Sequence, residues 1–177
     1  MDLDAVIGRV PNHPKPGILF YDLMPLFANP AALDFAIDAI SDWARSREGD
    51  VVVGAESRGF ILGGGIARAL GAGFVAARKP GKLPGRTVGH DYALEYGTDR
   101  LEIEVGAIRP GQRVLIHDDL LATGGTSAAK IALVESQGGI VVGSAFVIEL
   151  DFLGGRRLLA PHDVLSLVQY SSEVVPS

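Results

Sequence analysis

Val114-Leu115-Ile116-His117-Asp118-Asp119-Leu120-Leu121-Ala122-Thr123-Gly124-Gly125-Thr126 runs from an apolar, β-branched segment through two carboxylates into a small, hydroxyl-rich turn. Residues 114–116 follow Pro110-Gly111 and read as a short strand buried in the middle of a parallel sheet. The spacing then places the acids at the C-terminal end of that strand, where open α/β sheets bind ligands. Gly124 and Gly125 let the main chain approach closely, and Thr123, Thr126 and Ser127 offer hydroxyls. A helix expected to follow directs its positive end toward the same point. Such a turn suits phosphate, and the acids suit hydroxyls or a metal. A plain strand-to-helix connection has no use for two acids beside a turn that attracts anions. A nucleotide-hydrolysing P-loop would need a lysine where Gly125 precedes Thr126.

Outward from this stretch, strands and helices alternate. Residues 31–47 carry Leu33, Phe35, Ala36, Ile40 and Trp43 on one helical face after the break at Pro30. Residues 51–53 form a short buried strand and 59–70 a helix that stops at Gly71; Gly63, Gly64 and Gly65 within it suggest close packing against the sheet. Residues 74–77 are the next strand. Alternation predicts a hairpin of residues 92–96 and 101–105 around the turn Gly97-Thr98-Asp99. A helix over 127–137 ends at Gly138-Gly139, and 140–148 and 164–168 are the last strands. This order implies a mostly parallel central sheet covered on both faces, in one domain spanning residues 1–177.

Composition narrows the possible functions. The 177 residues carry a net charge of −5, which argues against nonspecific nucleic-acid binding. No stretch has the length of an uncharged membrane span, and Met1-Asp2-Leu3-Asp4 does not open a signal peptide, so a cytoplasmic protein is expected. The lack of cysteine excludes disulfides and thiolate zinc sites. Arg78, Lys79, Lys82 and Arg86 form an acid-free basic window shaped by Pro80, Gly81 and Pro84, which reads as a defined anion-binding loop.

Several motifs imitate other chemistries. Ala55-Glu56-Ser57-Arg58-Gly59 resembles a hydrolase nucleophile elbow, and His162 follows Asp151 in the required order. That reading leaves Asp118-Asp119 and the basic loop without a role. The glycines before Phe74 precede a strand, whereas a dinucleotide fingerprint must follow one. His13, His90, His117 and His162 show no metal spacing, and His117 reads as a satisfied core histidine.

Taken together, the acid pair and turn resemble the phosphoribosyl pyrophosphate (PRPP) signature of the type I phosphoribosyltransferases. Residues 16–23, 56–60, 78–85 and 94–97 are similar, in order and spacing, to the adenine branch of that family. The resemblance implies a type I phosphoribosyltransferase fold with a small N-terminal hood, about residues 1–30, and a flexible lid hairpin, about residues 80–105. It implies transfer of the phosphoribosyl group of PRPP to N9 of adenine, giving AMP and pyrophosphate in purine salvage. Asp118 and Asp119 would hold the ribose hydroxyls, and Ala122, Thr123, Gly124, Gly125 and Thr126 the 5′-phosphate. Glu56, Ser57 and Arg58 would form the first pyrophosphate loop, which holds a cis peptide in related enzymes, with Arg58 its cation. Arg78, Lys79 and Lys82 would meet pyrophosphate, some of them across a homodimer interface, and Glu95 would handle the proton near adenine N7 or N9. The backbone of Leu19, Phe20 and Tyr21 would read adenine, with Phe20 as an apolar platform; a buried edge strand explains this segment equally well. Mg²⁺ would be held mainly by substrate and water, with no metal ligand assigned to the chain, and no nucleic acid or membrane is expected as partner. Two positions depart from the family pattern: Tyr21, commonly arginine, and His117, usually aliphatic. A 6-oxopurine phosphoribosyltransferase and a PRPP-sensing regulator without catalysis are the alternatives.

Overall fold

The structure, a computed structural model, describes residues 1–93 and 97–172. A hairpin of β1 (Gly8–Pro11) and β2 (Leu19–Asp22) leads into α1 (Met24–Ala28) and α2 (Pro30–Arg45). β3 (Val51–Ala55), α3 (Gly59–Leu70) and β4 (Gly73–Ala77) follow, then a second antiparallel hairpin of β5 (Thr87–Ala93) and β6 (Thr98–Glu104). The chain continues through β7 (Arg113–Leu121), α4 (Gly125–Ser136), β8 (Ile140–Leu150), α5 (Gly155–Leu158) and β9 (Val164–Tyr170). The central sheet has the order β4-β3-β7-β8-β9, with every pair parallel.

Strand side chains alternate between two cores, which is why the central strands read as unbroken apolar runs. Val52, Leu115, Ala145 and Val147 face Ala36 and Ile40 of α2 and Leu62 and Ile66 of α3, together with Leu19, Tyr21, Leu23 and Leu26 of the N-terminal segment. On the opposite face Val53, Ile116 and Phe146 pack against Ala129, Leu133 and Val134 of α4 and Leu101 and Ile103 of the second hairpin. Each buried Val, Leu or Ile contributes about 1.5–3 kcal/mol, so the sheet is a rigid platform for whatever its C-terminal edge carries.

The expected elements are present, with shifted ends. Asn29 caps α2 by accepting from the N–H groups of Ala31 and Ala32, which makes Pro30 the first helical residue and not the break before it. That helix stops at Arg45, two residues early, and Arg47 folds back to lay its guanidinium 3.6 Å from the centre of the Trp43 ring. α3 ends as expected on left-handed Gly71. Its glycines divide their work. A Cβ at Gly63 would meet Phe74 of β4 at 2.6 Å and one at Gly65 would meet Ile37 of α2 at 2.5 Å, while Gly64 faces open space. Of these three, Gly63 alone serves the packing against the sheet, as Gly59 does at the helix start, where a Cβ would meet Asp118 Oδ1 at 2.8 Å.

Two differences matter for function. β7 runs on to Leu121, so Asp118 and Asp119 lie within the strand and not beyond its end; Asp118 is in register with Phe146. In the second hairpin Thr98 and Asp99, expected in a turn, are strand residues paired with Ala93 and Tyr92. Side-chain bonds fix this register: the Asp99 carboxylate accepts from Lys79 Nζ at 2.6 Å and from the Tyr92 hydroxyl at 3.2 Å. Glu95, together with Leu94 and Tyr96, lies outside the described residues.

Candidate functional site

A cavity of about 440 Å³ opens at the C-terminal edge of the sheet, lined by residues 55–58 and 118–127. Ten expected site residues meet there: Glu56, Ser57, Arg58, Asp118, Asp119, Ala122, Thr123, Gly124, Gly125 and Thr126. Two connections deliver them. The segment after β3 crosses the mouth through a cis Glu56–Ser57 peptide, and the segment after β7 bends through Gly124 at φ 87° into α4. The first N–H groups of α4 have no acceptor within the helix and are directed at whatever occupies the turn.

Main chain packs on main chain beneath this turn. A Cβ on Gly155, the first residue of α5, would lie 2.1 Å from Ala122 O and 2.9 Å from Gly124 N. A Cβ on Gly124 would in turn lie 2.7 Å from Gly155 O. α5 is held in position because Arg156 grips buried Glu149 of β8 through two bonds, at 2.5 and 3.0 Å, and Glu149 also accepts from Ser166 and Gln169 of β9. The second hairpin closes the other side. A Cβ on Gly125 would lie 3.0 Å from Ala93 O and 3.3 Å from the ring of Tyr92, whose phenol bonds to Asp99.

The charges form pairs. Arg58 Nε is 2.6 Å from Asp119 Oδ2, and its guanidinium carbon sits 6.0 Å from the centre of the Phe20 ring. Glu56 accepts from Arg78 Nε at 3.0 Å and from Lys79 N at 2.6 Å. The Lys79 backbone donor, with Arg78 behind it, holds the Glu56 carboxyl below its ordinary range. Arg78 also donates to the Lys82 carbonyl, which closes the basic loop. Asp118 accepts from Lys130 Nζ at 2.8 Å, and the same ammonium donates to His117 O at 2.7 Å. Asp119 is pushed up to about 6, by burial first and by neighbouring Asp118 second, against the pull of Arg58 and Lys130.

His117 is fully enclosed, and burial lowers it to about 4, so the ring is neutral at pH 7. A carbonyl can only accept, so the 2.9 Å contact with Ala145 O puts the proton on Nδ1. Nε2 then points a bare lone pair into the protein with no partner among the described residues. The expected satisfied histidine is half satisfied.

Leu19, Phe20 and Tyr21 do not line the cavity; they form β2, and only Phe20 approaches it, through Arg58. The Tyr21 side chain is buried and stacks on Tyr170 with ring centres 3.9 Å apart, so the departure from arginine is absorbed into the core. The hydrolase imitation fails: His162 lies 3.5 Å from Glu135 and lines a different cavity, together with Trp43 and Asp163. Lys130 and Gly155 were not anticipated. Lys130 shares a helical stripe with Ser127, Ile131 and Val134, all buried, and a lysine on such a stripe is the available signal.

Residues 25–164 match the phosphoribosyl transferase domain family. The chain is 55% identical over 169 residues to an adenine phosphoribosyltransferase of Solibacter usitatus, covering 96% of this chain and 98% of that protein. Among solved structures, the adenine phosphoribosyltransferase of Thermoanaerobacter pseudethanolicus superposes with a TM-score of 0.92 at 46% identity, covering 96% of this chain and 98% of the other. The Saccharomyces cerevisiae enzyme, crystallised with an imino-altritol bisphosphate and adenine, superposes with a TM-score of 0.89 at 44% identity, covering 94% and 96%.

Proposed function

The chain belongs to the phosphoribosyl transferase family, and from that premise we propose that its cavity carries out the transfer of phosphoribosyl from PRPP to N9 of adenine, releasing AMP and pyrophosphate. The observation that carries this is the convergence of two adjacent acids, the Thr-Gly-Gly turn and the Glu56-Ser57-Arg58 loop on one cavity. A ligand there meets phosphate donors at one end, hydroxyl acceptors in the middle and cations at the other end. This order matches the 5′-phosphate, ribose and pyrophosphate of PRPP.

Breaking the bond between ribose C1 and pyrophosphate builds positive charge on the sugar and negative charge on the leaving group. Asp118 and Asp119 would meet the hydroxyls of the sugar; Arg58 lines the departing end, and Arg78, Lys79 and Lys82 extend the positive charge beside it, behind Glu56. Phe20 offers its face to the base, and main-chain groups of Leu19, Phe20 and Tyr21 give the donor–acceptor pair that favours a 6-amino over a 6-oxo purine. Tyr21 takes part through its backbone only. Glu95, within the sequence segment that resembles the lid, moves the proton of adenine N7 or N9 and helps exclude water. Residues 1–30 act as the hood over the base. The donors at the cavity are hydroxyls, amides and carboxylates already paired with cations, and this set fits an ion that arrives on the substrate's own oxygens. When bound, Mg²⁺ neutralises the pyrophosphate. The family resemblance also supports a homodimer working in the cytoplasm.

Mass-spectrometric detection of AMP from adenine, PRPP and Mg²⁺ tests the assignment, with hypoxanthine and guanine offered in competition. Turnover of adenine, abolished in Asp118→Asn/Asp119→Asn, is expected. Preference for a 6-oxopurine, or tight PRPP binding with no nucleotide formed, would favour the alternatives.

A further inference from the structure

Three ion pairs, one in the cavity wall and two beside it, keep the acid inside and show the cation to solvent. The side chains of Arg58, Arg78 and Lys79 are 43%, 34% and 56% exposed, against 7%, 17% and 19% for Asp119, Glu56 and Asp99. The pair between Lys130 and Asp118 is inverted, with Lys130 wholly enclosed and Asp118 still 13% exposed. An ammonium is costly to bury unless its hydrogen bonds are met. Here Nζ reaches Asp118 Oδ2 and His117 O. One side chain thus ties the helix that begins at the phosphate turn to the strand that carries the acids.

Resting on the function assigned above, we propose that Lys130 is a positioning residue for PRPP: from beneath the cavity it fixes the Asp118 carboxylate toward the ribose hydroxyls. It also supplies the counter-charge that lets a polyanion sit against two adjacent acids. Arg58 gives Asp119 the same service from the solvent side, but it is also the cation offered to pyrophosphate, so on binding it must serve two anions. Lys130 has no access to solvent and keeps Asp118 whether or not ligand is present.

The charged and titratable groups around Asp118 are Lys130 from α4, His117 and Asp119 from its own strand, and Arg58 through Asp119. His117 is neutral, so Arg58 and Lys130 are the cations that weaken proton binding by Asp119. Removing Lys130 strengthens that binding, and a protonated Asp119 is a weaker acceptor for ribose hydroxyls.

Lys130→Met keeps most of the length of the side chain and removes its charge. It is expected to raise the KM and calorimetric Kd for PRPP about tenfold or more, leave the adenine KM within about twofold, and move the acid limb of kcat/KM for PRPP upward by about one pH unit. A lysine that merely filled space would change thermal stability and none of these. Because Lys130→Met strands a buried anion, Asp118→Asn/Lys130→Met is compared with Asp118→Asn alone; with no carboxylate to serve, the lysine substitution should cost less than about twofold more in PRPP affinity. Wild-type PRPP affinity and an unmoved acid limb in folded Lys130→Met would overturn the proposal. So would a double variant whose loss equals the product of the two single losses. Calorimetry reads PRPP binding without turnover, so a wild type that binds PRPP but forms no AMP refutes the assigned reaction alone.

Discussion

Gly155→Ala is a severe test of the phosphate turn, since the substituted residue touches no ligand. The added methyl would meet Ala122 O at 2.1 Å and Gly124 N at 2.9 Å, and both are main-chain atoms that no rotamer change can move. Ordinary contact lies near 3.5 Å, so turn and α5 must separate by roughly 1.4 Å. α5 resists because the two bonds from Arg156 to Glu149 anchor it to the sheet. The turn is therefore the part that moves, and its N–H groups shift relative to Asp118 and Asp119. Overpacking of this kind costs about 1–3 kcal/mol. Expressed as lost PRPP affinity at about 1.4 kcal/mol per tenfold, it predicts a KM raised roughly 5- to 150-fold. Adenine KM should stay within about twofold. Steady-state kinetics with each substrate varied, and calorimetry with ribose 5-phosphate, read the two ends of the site separately. A folded Gly155→Ala protein with wild-type affinity for both sugar phosphates would show that the turn is not their seat.

Gly64 is the one glycine of its helical trio that packs against nothing, so Gly64→Ala should raise stability by about 0.5–1 kcal/mol in urea melts, whereas Gly63→Ala, blocked by Phe74, should lower it. His117 binds its proton less tightly folded than unfolded, so its contribution is fully present above pH 6.5 and is lost as pH falls toward about 4. Relative to His117→Val, wild-type stability should therefore decline by up to about 3 kcal/mol between neutral pH and pH 4; an equal or opposite trend in the two proteins would mean that the ring is charged inside. Asp119 has the opposite sign: its folded value lies above its unfolded one, so its contribution is present below about pH 4 and lost as pH rises through about 6. Asp119→Asn should accordingly gain on wild type as pH rises across that window in the same urea melts.

Much of this was legible in the sequence because the informative residues are neighbours along the chain. The apolar run before Asp118 fixes a central strand, and Gly124-Gly125 fixes the turn, since both are local requirements on backbone shape. What escaped depends on the other side of the fold. Whether β7 stops at Ile116 or runs to Leu121 is decided by β8, whose Phe146, Ile148 and Glu149 pair with Asp118, Leu120 and Leu121. Asp99 looks like a turn residue in isolation, yet Lys79 and Tyr92 recruit its carboxylate into the strand. Gly155 reads as an ordinary loop glycine until Ala122 O is set against it. Lys130 does carry a local signal, because a lysine on a stripe of buried residues must find a partner; the partner's identity is not local.

The paired charges around the cavity bear on how ligand enters. Opposite charges this close would ordinarily weaken each other's hold on a third party. Here the acids of three pairs are enclosed and their cations face outward, so a polyanion can approach Arg58, Arg78 and Lys79 from solvent without displacing Asp119, Glu56 or Asp99. Each long side chain has already lost part of its rotamer freedom to its internal partner, and that entropy is not lost again on binding. Lys79 adds a structural link, because its partner Asp99 belongs to the second hairpin and bonds to Tyr92, whose ring packs with the Ala93 carbonyl against Gly125 of the turn. Recruiting Lys79 to pyrophosphate would pull on Asp99, and through Tyr92 on the turn that holds the opposite end of the sugar. With the roles proposed for Lys79 and the turn, β5 and β6 would couple the two ends of the substrate, and the loss of either phosphate contact should weaken the other.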